Sequence, residues 1–466
     1  MTTTTSSEPA QRQSLPVMYV IGAIAALAGL LFGMDIGVIS GALPFIEHEF
    51  NASDHTQEII VSSMMFGAAF GAASGGYLSR KAGRKITLAV SGVVFVAGAL
   101  LSAQAWSTDA LIGARILLGV AVGISSYIAP MYLSEIAPER IRGTLIAFYQ
   151  LMIMGGILLA YLTNAAFSYS GGWRWMLGVI AIPASLLVIG MIFLPKSPRW
   201  LASANRPEEA RRVLMRLRGH NKEEVDEEMA RIEESLKVDH AGWRLFRRNS
   251  NVRRSVGLGM LLQFMQQFTG ANVILYYAPR ILELAGYGSA TEQLWGTVMI
   301  GLVMTLATFI AIGFVDRAGR KPLLYIGFTV MGICMILLGA LYEYGLESAF
   351  AKYAALGLLG AFVVSYAMSA APMVWVLCSE IQPLKARDFG VACSTVTNWV
   401  ANMIIGATFL TLLNTLGNAH TFWLYAGLNL FFIVLTLFLV PETKGISLEK
   451  IEQRLMRGEK LKHIGT

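Results

Sequence analysis

Gly76-Tyr77-Leu78-Ser79-Arg80-Lys81-Ala82-Gly83-Arg84-Lys85 is a basic stretch set between two long apolar runs, and its last four residues return as Ala318-Gly319-Arg320-Lys321, 236 positions further on. Two more echoes accompany this one. Ser134-Glu135-Ile136 returns as Ser379-Glu380-Ile381 at an offset of 245, and Val38-Ile39 with Pro44 returns as Val273-Ile274 with Pro279 at an offset of 235. Three matches at about half of the 466 residues imply a chain built twice in the same sense. Parallel repeats of this kind in a membrane set a binding site near the bilayer midplane, between the halves.

The residues around the repeat make the setting a bilayer. The chain is 55% hydrophobic and 14% charged, with a mean hydropathy of +0.56, whereas soluble domains carry about a quarter charged residues. Of its 67 charged residues, 25 lie between Lys196 and Arg254. This excludes a disordered chain, a disulfide scaffold and an ordinary cytosolic enzyme. A spanning helix needs about 20 mostly apolar residues. Twelve such runs lie near 17–43, 57–78, 87–105, 109–135, 143–167, 174–194, 254–282, 292–315, 322–343, 352–379, 389–415 and 420–440. The expected class is an all-α membrane protein of twelve transmembrane helices in two parallel six-helix repeats. Its parts are a tail at 1–16, a bundle at 17–194, a helical linker at 195–252, a second bundle at 253–440 and a tail at 441–466.

Loop charge sets the orientation. Arg80, Lys81, Arg84 and Lys85 share one side with Arg140, Arg142, Arg317, Arg320, Lys321, Lys385 and Arg387, and with six more basic residues from Lys444 onward. The segment 45–57 on the other side holds Glu47, Glu49 and Asp54 and no Lys or Arg. The positive-inside rule puts both termini and the linker in the cytoplasm, and it accounts for the net charge of +7 without a nucleic-acid partner. The polar first 16 residues lack a signal-peptide h-region. Cys334, Cys378 and Cys393 lie in apolar runs and read as small buried hydrophobes, and the six histidines avoid the span interiors, so no metal site is expected. No phosphate-binding GxxxxGK[ST] loop is present, so any transport runs on an ion gradient or downhill. The linker carries two amphipathic stretches, Pro207 to Leu217 and Lys222 to Lys237, the second with Val225, Met229, Ile232 and Leu236 at helical spacing.

A charge near the bilayer centre costs at least about 2.5–3.5 kcal/mol, so ions inside spans are functional candidates. Asp35 lies in the first span and Arg115 near the start of the fourth. They read as a carboxylate able to take a proton and an arginine that stays charged; a buried pair that only fixes packing is the plainer alternative. Gln263, Gln266, Gln267 and Gly270 share a face of the seventh span, followed by Asn272. Gln150 lies in the fifth span, Trp375 in the tenth, and Asn398, Trp399 and Asn402 in the eleventh. Amides that both donate and accept suit a hydroxyl-rich ligand, and an indole suits a sugar ring; interhelical bonding is the competing use. Gly29, Gly33, Gly37 and Gly41, like Gly67, Gly71 and Gly75, recur every four residues and predict close helix approach.

These residues resemble the sugar porter family of the major facilitator superfamily over essentially the whole chain, and within it the bacterial galactose–proton and arabinose–proton symporters. The resemblance rests on residues 76–85 and Asp316-Arg317-Ala318-Gly319-Arg320-Lys321, on Pro195-Lys196-Ser197-Pro198-Arg199-Trp200-Leu201 and Pro441-Glu442-Thr443-Lys444, on Gln266-Gln267-Phe268-Thr269-Gly270, and on Ser62-Ser63-Met64-Met65 and Cys378-Ser379-Glu380-Ile381-Gln382-Pro383-Leu384-Lys385. It implies the major facilitator fold, with sugar contacts from Gln150, Gln266, Gln267, Asn272, Trp375 and Asn398 and proton coupling at Asp35 with Arg115. Tyr276 and Tyr277 would form an outer gate, and Arg84, Glu135, Arg142, Asp316, Arg320, Glu380 and Arg387 an inner one. Two departures stand out: Arg80 where the family usually has an acid, and Met304 where several relatives have an amide. The implied activity is proton-coupled import of a monosaccharide, a galactose- or glucose-type hexose before a pentose such as arabinose. A facilitative uniporter and a sugar sensor are the alternatives, and facilitative members tend to be neutral at the position of Asp35. No enzyme activity, cofactor or obligate protein partner is implied, only sugar, protons and the lipid of a bacterial inner membrane.

Overall fold

The computed structural model describes residues 8–218, 221–236, 242–344 and 349–465; the side chains of residues 8–17, 139, 312–317 and 349 lie outside the described set. The first half comprises α1 (Glu8–Phe50), α2 (Asp54–Ala82), α3 (Arg84–Ala103), α4 (Thr108–Ile136), α5 (Glu139–Ser168), α6 (Trp173–Gly178) and α7 (Ala181–Phe193). The linker holds α8 (Pro198–Ser203), α9 (Pro207–Leu217), α10 (Lys222–Leu236) and α11 (Gly242–Arg248). The second half comprises α12 (Ser250–Phe268), α13 (Ala271–Leu284), α14 (Ala290–Ala318), α15 (Arg320–Tyr344), α16 (Ala349–Met368), α17 (Ala370–Glu380), α18 (Arg387–Gly406), α19 (Phe409–Leu416) and α20 (Asn418–Leu439), and α21 (Leu448–Met456) follows. Ser53, Ser107 and Ser289 cap α2, α4 and α14, each hydroxyl accepting the orphan amide three residues on.

Twelve crossings result. Ten described stretches are long and apolar enough to span alone, with α6–α7 and α16–α17 each counted as one; the pair α18–α19, bent by 41°, makes an eleventh. The twelfth is α12–α13. In place of one helix over 254–282, the chain breaks at Gly270, whose φ of +93° is a left-handed conformation. The first crossing also differs from expectation, since α1 runs past residue 43 to Phe50.

The packing repeats pair for pair. In the first half α1 lies on α5, α2 and α3 on α4, and α3 on α7; in the second α12 lies on α18, α14 and α15 on α16, and α15 on α20. The basic motif between spans repeats in detail as well. Gly83 and Gly319 have φ/ψ of 87°/159° and 89°/160°, turning the chain between consecutive spans. The following lysines, Lys85 and Lys321, donate to the carbonyls of Ile192 and Leu437 at the ends of α7 and α20, where a cation suits the helix dipole. Glycines let these pairs approach backbone to backbone: a Cβ on Gly33 would strike the Ile153 carbonyl, and one on Gly67 or Gly71 the carbonyls of Ile116 or Val120. The halves meet along α2 with α18, α5 with α14, and α1 with α13.

In the linker, α9 and α10 coincide with the two amphipathic stretches, apart from Lys237, which lies outside the described residues. Ala210, Leu214, Val225 and Met229 form a small core with Trp200 and Leu201. Leu236, expected on the apolar stripe, is exposed and lies outside this core, which Ile232 is the last residue of the stripe to touch. Cys334 and Cys378 are buried, whereas Cys393 is only half-buried, beside Phe246 and Phe389 at the edge of the second bundle.

Candidate functional site

A cavity of about 580 Å3 lies between the halves. Gln150 reaches it from α5, Gln266 and Gln267 from α12, Asn272 from α13, Trp375 from α17 and Asn398 from α18. The six residues expected to contact sugar therefore share one cavity, although 122 positions separate Gln150 from Asn272. The break at Gly270 makes this possible: it ends α12 after Gln266 and Gln267 and restarts the chain just before Asn272.

The amides hold one another in place. Asn398 Nδ2 donates to Gln263 Oε1 at 2.6 Å and Gln266 Oε1 at 2.9 Å, and Gln266 Nε2 donates to the carbonyls of Ala370 and Ala371 at 3.0 and 3.1 Å. Gln267 donates to Gln266, and Asn272 to Gln267. Gln263 is thus a buried support and not a cavity residue. Gln267, Asn272 and Asn398 keep unused capacity while these bonds set their rotamers, which is the preorganisation that recognition of hydroxyls needs, whereas Gln266 is fully engaged and anchors the set. Trp375 is 41% exposed, so its indole is available as a stacking face. Met304 lines the same wall with a thioether that is at best a weak acceptor.

Asn402 and Tyr276 extend the site in a way that residue spacing alone does not signal. Asn402 lines the cavity and donates to the Tyr276 hydroxyl at 3.0 Å. Tyr276 is fully buried and within electrostatic reach of Asp35 and Arg115. Those two meet as expected: Arg115 Nη1 donates to Asp35 Oδ1 at 2.9 Å, with no exposure on either side chain. Arg115 Nε turns to the Ile60 carbonyl at 3.4 Å. Asp35 Oδ2 and Arg115 Nη2 have no hydrogen-bond partner among the described residues. Neither residue lines the cavity; Phe32 and Ile36, beside Asp35 on α1, do.

Four of the seven residues expected at the inner gate form two ion pairs, one in each half. Arg84 pairs with Glu135 at 2.7 Å and Arg320 with Glu380 at 3.1 Å. Each carboxylate also accepts a hydroxyl at 2.5 Å from the segment after the last span of its half, Ser197 for Glu135 and Thr443 for Glu380. These hydroxyls are additions to the expected gate, although Pro195-Lys196-Ser197 and Pro441-Glu442-Thr443 share a pattern that signals them. Arg142 and Arg387 join neither of these two ion pairs; Arg387 lines the cavity, and the side chain of Asp316 lies outside the described residues. The Arg80 side chain is exposed, and its carbonyl accepts the Trp200 indole at 3.0 Å.

The cavity reaches Ser134, Arg387 and Asp388 at the end of the molecule that bears the basic loops, so it is open toward that end. The other end is shut. Glu58 of α2 accepts the Thr411 amide and hydroxyl of α19, each at 2.7 Å, and Asn414 donates to Asp54 at 2.7 Å. Tyr277 is buried with its hydroxyl on the Gly406 carbonyl at 2.7 Å, and the Tyr161 hydroxyl of α5 donates to the Leu275 carbonyl of α13 at 2.8 Å.

Three comparisons agree with this architecture. The sugar (and other) transporter family model matches residues 21–455. The galactose-proton symporter of Escherichia coli (strain K12) is 62% identical, covering 97% of this chain and 98% of its own. The arabinose-proton symporter of the same strain is 55% identical over 96% and 95%. Among solved structures, the partially occluded inward-open form of the xylose transporter XylE from E. coli superposes with a TM-score of 0.81 at 30% identity, covering 92% of this chain and 99% of that one. The chain is a multi-pass membrane protein with the twelve-helix major facilitator fold, and it belongs to the sugar transporter family.

Proposed function

We propose that the protein imports a monosaccharide together with a proton, by alternating access across a bacterial inner membrane with both termini in the cytoplasm. The observation that carries the reading is the wholly buried Asp35–Arg115 pair beside an amide-lined cavity. In the outward-facing state Asp35 takes a proton at Oδ2, the oxygen without a hydrogen bond, and its hold on Arg115 weakens. Sugar then binds between the halves, its hydroxyls on Gln150, Gln266, Gln267, Asn272 and Asn398 and its ring on Trp375. Closure of the outer end through Tyr276, Tyr277 and the Glu58–Thr411 bonds accompanies opening of the basic end, where sugar and proton leave. Arg84, Glu135, Arg142, Asp316, Arg320, Glu380 and Arg387 close that end on the return. A hexose of the galactose type is the favoured substrate, supported by the 62% identity to a galactose-proton symporter against 55% to an arabinose-proton symporter. The proton is the coupling ion; no other cofactor and no chemical catalysis enter the cycle.

Proteoliposomes with an imposed pH gradient test this. Asp35→Asn is expected to abolish uphill accumulation of galactose while sparing galactose exchange. Accumulation by the variant against a gradient would remove Asp35 from coupling, and stronger competition by arabinose than by a hexose would reverse the hexose preference.

A further inference from the structure

A second cavity, about 440 Å3, lies between the basic end of the first bundle and the linker. Its wall carries Arg140 and Arg142 from the start of α5, Arg199 from α8, Arg218 from the end of α9 and Arg231 from α10. The carboxylates beside them are Glu135, Glu224 and Glu228. Two of these are engaged: Glu135 by Arg84 and Ser197, and Glu228 by Arg218 through a fork of two bonds at 2.8 Å. Arg218 also donates to the Ile136 carbonyl at 3.1 Å and has only 2% of its side chain exposed, so it ties the linker to the end of α4 and gives the cavity a fixed floor. The Nε of Arg142 is buried without a hydrogen-bond partner among the described residues.

The lining itself carries five guanidinium groups and three carboxylates, an excess of basic side chains in one concavity. Guanidinium forks match the oxygens of a phosphate two at a time. We propose that this cavity binds a phosphate group, carried either by a small molecule on the basic side or by a lipid headgroup. Ser134 lines both this cavity and the central one, so the occupant sits beside the mouth of the transport cavity. It engages Arg142 and thereby favours the state open to the basic end; this consequence, unlike binding itself, rests on the transport reading.

The full chain in nanodiscs of zwitterionic lipid, titrated with inorganic phosphate and followed by thermal unfolding, tests the site, with phosphatidylglycerol nanodiscs as a second arm. Saturable stabilisation is expected, with the apparent affinity about tenfold weaker in Arg140→Gln and in Arg231→Gln. Stabilisation seen only with phosphatidylglycerol and lost in both variants makes the headgroup the source. No stabilisation in either arm, or equal stabilisation of wild type and variants, overturns the proposal. Phosphate is also expected to slow galactose exchange in the wild type and not in Arg231→Gln. Binding without slowing leaves the site and removes the consequence, whereas absence of exchange before any phosphate is added faults the transport reading instead.

Discussion

Asp35 and Arg115 show how a residue's chemistry outruns its position in the chain. A lone ion in apolar surroundings is expensive, and removing one partner of a buried pair costs about 3–5 kcal/mol because the other is left uncompensated. Arg115→Gln is therefore expected to destabilise the protein by roughly that amount, read as a lower unfolding temperature in detergent. The double variant Asp35→Asn with Arg115→Gln is expected to recover much of the loss, because it leaves no stranded charge. If the double variant is less stable than Arg115→Gln alone, the two side chains do not act as a pair. Both residues are legible in the sequence because intramembrane charge is rare. Asn402 and Tyr276 are less so: one of three amides or indoles on α18 and one of two adjacent tyrosines look alike until a 3.0 Å bond singles them out.

At the scale of the element, glycine position decides which helices touch. Gly33 lies against the backbone of Ile153 and Ile157, so Gly33→Val is expected to force α1 from α5 and to cut the yield of folded protein sharply. Gly113 on α4 has nothing within 4 Å, so Gly113→Ala is expected to be neutral or stabilising, by up to about 1 kcal/mol from helix propensity. Similar unfolding temperatures for the two variants would contradict the close approach of α1 and α5. Four-residue spacing makes these stripes visible in the sequence. The break at Gly270 is harder to foresee, because a glycine within an apolar run is equally at home in a continuous helix, and only the φ of +93° distinguishes the two. The hydroxyls of Ser197 and Thr443 are half legible: a shared proline-led pattern marks them, but each lies 62 or 63 positions from the carboxylate it serves, and only the fold joins the two.

For the whole molecule, the balance between the two ends is the functional variable. The shut end rests on few polar bonds, of which the two to the nearly buried Glu58 are the only described ones in which a single side chain of α2 accepts twice from α19. Glu58→Gln keeps the shape and weakens these charge-assisted bonds, each worth about 1.5–3 kcal/mol. The population is then expected to shift toward closure at the basic end. Spin labels placed at Lys81 and Lys385, exposed positions in the two halves at that end, should report shorter distances in the variant. An unchanged distance distribution would show that Glu58 does not hold the outer end.

The repeat of Ala82-Gly83-Arg84-Lys85, the span count, the charge asymmetry of the loops and the intramembrane Asp35 and Arg115 are all written in the amino-acid sequence. They depend on transfer free energies and helix lengths, which each segment carries with it. The meeting of Gln150 with the amides of the second half, the cross-bundle bonds of Glu58 and the end toward which the cavity opens belong to the tertiary structure alone. They are set by how two similar bundles rest against each other, and packings that differ by a few kcal/mol are available to one and the same sequence.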